Sequence, residues 1–550
     1  MKGFRFVLML ALGTLMLVPP AISDPPSDGE FFFKINKGID VFGKVYREIT
    51  ANYVDEVDPE RFMEAGIDGM LENLDPYTIF IGKEEGDEVE LLTTGKYGGV
   101  GVTIGVRDGI IQVVTVMEGY SAQRAGIQPG DKIVEVDGVR IADKKPDEVR
   151  ALTRGTPGTT VKVMVDREGE KDPLAFELVR EEIQIKNVTY SGFIEPGIGY
   201  IKLERFSRKA GEEVRQAIRD LTLKGELKGI MIDLRGNPGG LLDAAVEIVS
   251  KFVPRNSLIV STKGRRADAD REYRSMEEPI LPAVPVVVLT DRNSASASEI
   301  VSGSIQDLDR GLVVGVRTFG KGLVQTILPL SYGAQLKITT ARYYTPSGRS
   351  IQEIDYLSRN KDGVFASFAD STKKEFKTAG GRTVYEHGGI TPDSIVGQPD
   401  NGPMVKQLLR KSLFFKFANS YVIEHKLEKM NGVTDEMMAS FKSFLEEEQF
   451  DYQEETETKL KEMRELAEKL NYSKEVIEDI DRLVKDLEKE KKRGFERYAK
   501  QIKREVEVEL TARVHGEQGR IEASLHDDVQ VNTGLALLKN PGAYAKMLGE

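Results

Sequence analysis

The most constraining feature of this chain is a short, wholly apolar run, Val286-Val-Val-Leu289, which stops at the polar turn Thr290-Asp-Arg-Asn-Ser294. A half-exposed strand would alternate apolar and polar residues, so this run reads as a strand buried on both faces. Gly229-Ile-Met-Ile-Asp-Leu234 is a second such run, ending in Arg235-Gly-Asn-Pro-Gly-Gly240, and Gly197-Ile-Gly-Tyr-Ile-Lys-Leu203 is another. Amphipathic helical patterns lie between them, at Ala210–Leu223 and Leu241–Phe252. This alternation over 183–400 predicts an α/β sheet with its ligands at the carboxyl ends of the strands. Further strands are expected at Gln325–Pro329, Gln335–Tyr344 and within Gly380–Ile390.

The rest of the chain is organised around that core. At 550 residues it is too long for one hydrophobic core, and 40% hydrophobic with 30% charged residues suits a soluble multidomain protein. A net charge of −12 argues against nucleic acid as a partner. The absence of cysteine excludes disulfides, thiol nucleophiles, thiolate metal sites and a lipid-anchored N-terminus. Residues 1–23 carry a basic start, an apolar stretch from Phe6 to Val18 and Ala21-Ile-Ser23. This pattern predicts a cleavable signal and export, in a bacterium to the periplasm. The apolar stretch is shorter than the roughly 20 residues a span needs, so membrane association is expected only through an uncleaved signal.

Residues 30–92 predict an N-terminal helical module, with Val41, Phe42, Val45, Tyr46 and Ile49 at helical spacing and Asp75-Pro76 as its stop. Residues 401–550 predict a charged helical extension, probed by Leu460, Met463, Leu466, Leu470, Val476, Ile480 and Leu483 and broken at Asn471-Tyr-Ser473. An antiparallel hairpin packing on itself or on the core is the expected form. The extension suits assembly into a homo-oligomer or docking of an adaptor protein, and the sequence leaves both open.

Between 93 and 182, glycine and short strands dominate. Tyr97-Gly-Gly-Val-Gly-Val-Thr-Ile104 leads into one strand and Ile110–Val116 is another. Ala125-Gly-Ile-Gln-Pro-Gly-Asp131 precedes Lys132–Gly138, then come a helix at Pro146–Leu152 and strands at Thr160–Val165 and Leu174–Val179. This segment resembles a PDZ domain. Consecutive N–H groups at Gly99, Val100 and Gly101 could cradle a peptide carboxylate, and the next strand could pair with the peptide.

The chemistry centres on Thr290–Gln325. Ser294, Ser296 and Ser298 open a helix, and Lys321 stands alone between Gly320 and Gly322. Four histidines occur, at 387, 425, 515 and 526, none in a triad motif, and Gly-x-Ser-x-Gly is absent. A Ser–His hydrolase using His387 therefore stands as a lesser alternative. Lysine can replace histidine if neutral, which from a reference pKa of about 10.4 needs burial worth roughly 3–4 kcal/mol. If 321–325 is extended, Lys321, Leu323 and Gln325 share a face, and Gln325 could orient the amine. Ser296 and Glu299 equally form a capping-box pattern, so spacing alone does not separate the serines or exclude a purely structural role.

Three motifs in order, Asp233-Leu-Arg-Gly-Asn-Pro-Gly-Gly240, Ser294-Ala-Ser-Ala-Ser-Glu299 and Thr318-Phe-Gly-Lys-Gly-Leu-Val-Gln325, resemble the carboxyl-terminal processing peptidases, or tail-specific proteases. The resemblance covers residues 1–400. It implies a multidomain α/β protein whose serine peptidase core is crotonase/Clp-protease-like. It implies Ser296 as nucleophile, Lys321 as base and Gln325 as its support, with an oxyanion site from Ala297 and Gly239 N–H groups and no metal or cofactor. Asp307 is expected to be structural, as are Asp233 and Arg235. Unfolded or C-terminally exposed proteins are the implied substrates, presented through the PDZ domain. A catalytically inactive PDZ scaffold is the alternative, weakened by the intact Ser, Lys and Gln set.

Overall fold

The computed structural model describes residues 28–83, 90–91, 93–107, 109–359, 365–368 and 374–549. The stretch read as a signal, 1–23, lies outside them. The chain divides into two compact units between Asn73 and Leu74. In the first, α1 (Asp28–Asn52) precedes α2 (Pro59–Leu71), whose start is capped by Asp58 accepting from the Glu60 and Arg61 N–H groups. Tyr46 stacks on Phe62, ring centroids 6.0 Å apart.

The second unit begins with a departure from the sequence reading. The helical module was expected to run to residue 92, but Ile79–Ile81 is a strand, β1. Asp75 is the cause. Its Oδ1 accepts from the Tyr77 and Thr78 N–H groups at 2.9 and 3.0 Å, a turn that redirects the chain into extended backbone.

The PDZ segment comprises β2 (Lys96–Gly99), β3 (Val102–Arg107), β4 (Ile110–Val116), α3 (Ser121–Ala125), β5 (Lys132–Val136), α4 (Pro146–Thr153), β6 (Thr160–Asp166), β7 (Leu174–Val179) and β8 (Glu181–Gln184). Its order of elements matches the sequence reading. Strands β3-β4-β5-β6-β7 form one sheet over a core that includes Val113, Ile133, Val149 and Val163, while β2 pairs with β8. Among the described residues β3 pairs only with β4, so it is the sheet's edge.

The peptidase core holds β9 (Val188–Glu195), β10 (Ile198–Leu203), α5 (Ala210–Lys224), β11 (Gly229–Asp233), α6 (Leu242–Ser250), β12 (Leu258–Gly264), β13 (Arg271–Arg274), β14 (Val286–Thr290), α7 (Ala297–Asp307), β15 (Leu312–Gly315), β16 (Leu323–Pro329), β17 (Gln335–Tyr344) and β18 (Ser394–Ile395). The central sheet runs β9-β10-β11-β14-β15-β18, parallel except for β9 against β10. Both apolar runs that opened the sequence reading, in β11 and β14, are buried throughout. A second, antiparallel sheet takes β1-β17-β12-β13, with β16 also on β17.

Helices α5, α6 and α7 cover one face of the central sheet. The other face is covered by the C-terminal extension. After α8 (Pro403–Arg410), α9 (Leu413–His425), α10 (Asp435–Glu447), α11 (Glu455–Lys469) and α12 (Lys474–Lys492) come α13 (Ala499–Leu525), α14 (Val529–Leu538) and α15 (Pro541–Leu548). Ile521, Leu525, Val531, Leu538, Tyr544 and Leu548 pack with Tyr200, Met231, Val287, Leu289 and Val314 of the sheet. Tyr544 Oη accepts from Val286 N–H at 3.0 Å and donates to Val286 O at 2.9 Å, pinning the start of β14. The contact is close: a Cβ on Gly534 would lie 2.6 Å from Met231 Cε. The α11–α12 hairpin expected from sequence is present, but Met463, Leu466 and Leu470 on it are exposed.

The extension therefore contributes unequally to stability. Leu538→Ala should cost about 2–5 kcal/mol, as expected for a buried leucine, whereas Leu466→Ala should leave the melting temperature nearly unchanged. Thermal unfolding of both variants followed by circular dichroism checks this.

Candidate active site

The three serines are separated by their surroundings. Ser294 and Ser298 are fully buried and spend their hydroxyls on the backbone, donating to Leu234 O at 2.8 Å and Asn237 O at 3.0 Å. Ser296 is half-buried and its hydroxyl makes no capping hydrogen bond. The Glu299 side chain closes a capping box on the turn, accepting from Ser296 N–H at 2.9 Å. Ser296 also has φ 55° and ψ −113°, a conformation that L residues adopt only when the surroundings hold them there. A strained serine at a strand-to-helix turn, with an uncommitted hydroxyl, suits a nucleophile rather than a cap.

Glu299 supplies much of the holding. Fully buried, it accepts from Ser296 N–H and Lys321 N–H on Oε2 and from Thr318 Oγ1 and Gly320 N–H on Oε1, all between 2.6 and 2.9 Å. Burial pushes its carboxyl up to about 7, against these hydrogen bonds. Three of its four partners are backbone N–H groups, which can only donate and so favour the ionised form. Tyr343 adds a second tie, its one hydroxyl proton donated chiefly to Lys321 O at 2.6 Å and shared with Ser296 O at 3.1 Å. Residues 296 and 321 are thus joined through their backbones by two buried side chains.

Lys321 precedes β16, and its Nζ lies 4.1 Å from the centroid of the Tyr77 ring. Burial lowers its pKa to about 8, helped by Lys337 and opposed by Glu299 and Asp75. Gln325 does not meet the amine. Its Nε2 donates to Thr339 Oγ1 at 3.2 Å, and no hydrogen bond joins it to Lys321 among the described residues. The assumed alternation does not reach Lys321, because the strand begins only at Leu323 and residues 321–322 precede it.

The 235–240 loop sits against the nucleophile. A Cβ on Gly239, whose φ is 98°, would fall 2.8 Å from Ser296 Cβ and 2.9 Å from Ala297 N, so only glycine fits. Ala297 is the first residue of α7, where an N–H has no partner within the helix. Gly239 N–H, expected as the second oxyanion donor, instead donates to Asn237 Oδ1 at 2.8 Å. Asn237 O accepts from Ala295 N–H and Ser298 Oγ, binding loop to serine turn.

Asp233 and Arg235 form the base of this loop. Burial raises the Asp233 carboxyl, but Lys202 and Arg235 outweigh it and hold the group below the usual carboxylate range. Arg235 Nη1 reaches out of the core to Asp528 Oδ2 at 2.6 Å and Gln530 Oε1 at 2.9 Å, at the start of α14. Asp307 is likewise structural, paired with Arg349 at 2.7 Å and bonded by Thr345. His387 Nδ1–H donates to Gln352 O, 3.1 Å away, and its ring stacks on Phe368, with no bond to Ser296 among the described residues. In the PDZ segment Val100 is buried, and Gly101 has φ 83° with Tyr120 Cβ where a side chain would go. Gly99 ends β2, opposite Glu181.

Sequence reasoning found Glu299 only as a capping partner and missed Tyr343, Tyr77 and Asp528. Nothing in the spacing of these three signals a role, since each reaches the site from a distant element.

Comparisons with known proteins agree with this architecture. The pattern described as Peptidase family S41 matches residues 197–357, and a PDZ domain matches 112–167. Residues 28–85 match the Activating protease CtpB N-terminal domain, and 404–538 the Probable PDZ-protease, C-terminal helical domain. A carboxy-terminal-processing protease of Bartonella bacilliformis is 37% identical over 316 residues, 57% of this chain and 72% of that one. The carboxy-terminal processing protease CtpB of Bacillus subtilis is 33% identical over 345 residues, 62% and 71% of the two chains. Among solved structures, a photosystem II D1 C-terminal processing protease aligns at 27% identity and a TM-score of 0.35, over 65% of this chain and 92% of that one. The fold and site define a serine peptidase with a PDZ domain. The chain belongs to the carboxy-terminal processing protease family.

Glu299→Gln turns an amide nitrogen toward backbone N–H donors. It should lower the melting temperature and reduce turnover by about tenfold or more, consistent with the penalty of about 1–3 kcal/mol for unmet buried polar groups. Thermal unfolding and initial rates measured on one preparation check both effects.

Proposed function

We propose that this peptidase works through a Ser296–Lys321 dyad and cleaves proteins whose free C-terminus is taken up by the PDZ domain. The observation that carries the dyad is the pair of ties, Glu299 and Tyr343, between the backbones of Ser296 and Lys321. Beside them, the Ser296 hydroxyl has no capping role and Lys321 has its pKa lowered to about 8.

Neutral Lys321 takes the proton of Ser296, whose oxygen attacks the peptide carbonyl. The lysine then passes that proton to the leaving amine. Ala297 N–H stabilises the oxyanion, aided by the N-terminus of α7. Gly239 N–H is the candidate second donor, and it must exchange or share its bond to Asn237 when substrate arrives. Water, activated by the same lysine, releases the acyl group. Gln325 supports the site through Thr339 rather than through the amine.

Capture of the substrate C-terminus fits the open edge of β3 and the Gly99-Val100-Gly101 turn before it. The basic and apolar stretches of residues 1–23 favour export to the periplasm. An adaptor protein and self-assembly through the helical extension fit the same reading.

Ser296→Ala and Lys321→Ala should each abolish cleavage of an unfolded, C-terminally tagged protein, whereas His387→Ala should leave it intact. Undiminished cleavage by either dyad variant would contradict the mechanism. Because burial favours the neutral amine and the neutral amine is the base, kcat/KM should rise with pH through about 8 and level off above it. A pH–rate profile measures that limb, which a histidine base would place near its ordinary pKa of about 6.5.

A further inference from the structure

The edge strand β3 faces a cavity of about 1180 Å³, beyond the roughly 300–1,000 Å³ usual for small-molecule sites. Its walls come from the PDZ segment and the helical extension, with Thr189 and Glu204 of the peptidase core between them. On the PDZ side stand Val100, Val102 and Ile104, with Arg150 and Thr153 of α4. Opposite them stand Phe415, Ala418 and Asn419 of α9 and Arg513 and His515 of α13. Three contacts hold the domains together: Arg107 stacks 3.7 Å over the Phe415 ring, Arg513 Nη2 donates to Gln128 Oε1 at 3.0 Å, and Ser420 Oγ donates to Glu168 at 2.7 Å.

Four side-chain atoms of residues lining this one cavity are buried without a hydrogen-bond partner: Gln184 Oε1, Thr189 Oγ1, Asn419 Oδ1 and Arg513 Nε. Buried polar atoms are nearly always paired, so these unpaired ones, lying just behind the cavity surface among the described residues, mark side chains that can turn to meet a polar ligand. Their chemistry narrows the choice. A bound anion would call for donors alone, whereas this set mixes a donor nitrogen with oxygens that accept, matching the alternating C=O and N–H groups of a peptide. Helix α13 is also interrupted here. Gly516 takes φ 69° and ψ −162°, which releases backbone groups of the adjoining turns from the helical ladder beside the cavity.

The geometry points to a composite peptide site, in which the helical extension forms the second wall of the PDZ cleft and Arg513 and Asn419 bind the backbone of the captured segment. This rests on the PDZ capture proposed above. On this account the PDZ loop holds the terminal carboxylate, while the extension reads the residues before it.

The test uses the full chain carrying Ser296→Ala, so that peptide is bound but not cut. A short fluorescent peptide ending in a free valine carboxylate is titrated by anisotropy, beside its amidated twin. Three second substitutions are compared: Ile104→Asp in the PDZ wall, and Arg513→Ala and Asn419→Ala in the opposite wall. Expected are loss of binding with Ile104→Asp and about tenfold weaker binding with Arg513→Ala, the size of a lost hydrogen bond from a charged donor. Asn419→Ala should weaken binding less. If Ile104→Asp abolishes binding while both other variants bind as before or more tightly, the composite wall is overturned and PDZ capture stands. If Ile104→Asp has no effect, PDZ capture fails and the composite site with it. Should Arg513→Ala melt early, Arg513→Lys carries the comparison, since it keeps charge and stem but loses the guanidinium fork.

Discussion

The peptidase site depends on one buried carboxylate. Glu299 has no cation paired with it. It is satisfied by four donors drawn from the serine turn and from the 318–321 loop. A buried carboxylate survives only when hydrogen bonds replace its hydration, and here those bonds also hold the backbones of Ser296 and Lys321. Ser296 can stay in its strained conformation because Glu299, Tyr343 and the Asn237 carbonyl network over-determine the turn. Burial acts on both groups, raising the Glu299 carboxyl and lowering the Lys321 amine.

The helical extension is integral to the enzyme. Its last three helices are the second layer on the central sheet, covering strands whose apolar residues would otherwise face water. The same segment touches the catalytic loop through Asp528 and Arg235, and its earlier helices face the PDZ cleft. One extension therefore contacts the PDZ segment, the 235–240 loop and the central sheet.

Much of this was legible in the sequence, for physical reasons that also mark its limits. Apolar runs without alternation betrayed β11 and β14, and glycine spacing betrayed the PDZ strands. The serine and lysine were visible as isolated reactive groups in glycine-rich surroundings. Which serine was free required burial, since Ser294, Ser296 and Ser298 look alike in a string. The Lys321–Gln325 pairing is absent because alternation holds only within a strand, and Lys321 lies before the one that begins at Leu323. The Gly239 N–H bond to Asn237 depends on a side-chain rotamer that no spacing encodes. An amphipathic pattern over 521–548 shows that a face is apolar but cannot say which surface it covers.

Burial lowers the Lys321 amine far enough for its neutral form to be a substantial fraction near pH 8. Titrating that amine directly, by NMR of the protein with ¹³C-labelled lysine and with Lys321→Arg to assign the signal, tests it most closely. Half-titration near pH 8 is the predicted result. A midpoint near the ordinary lysine value of about 10.4 would contradict it.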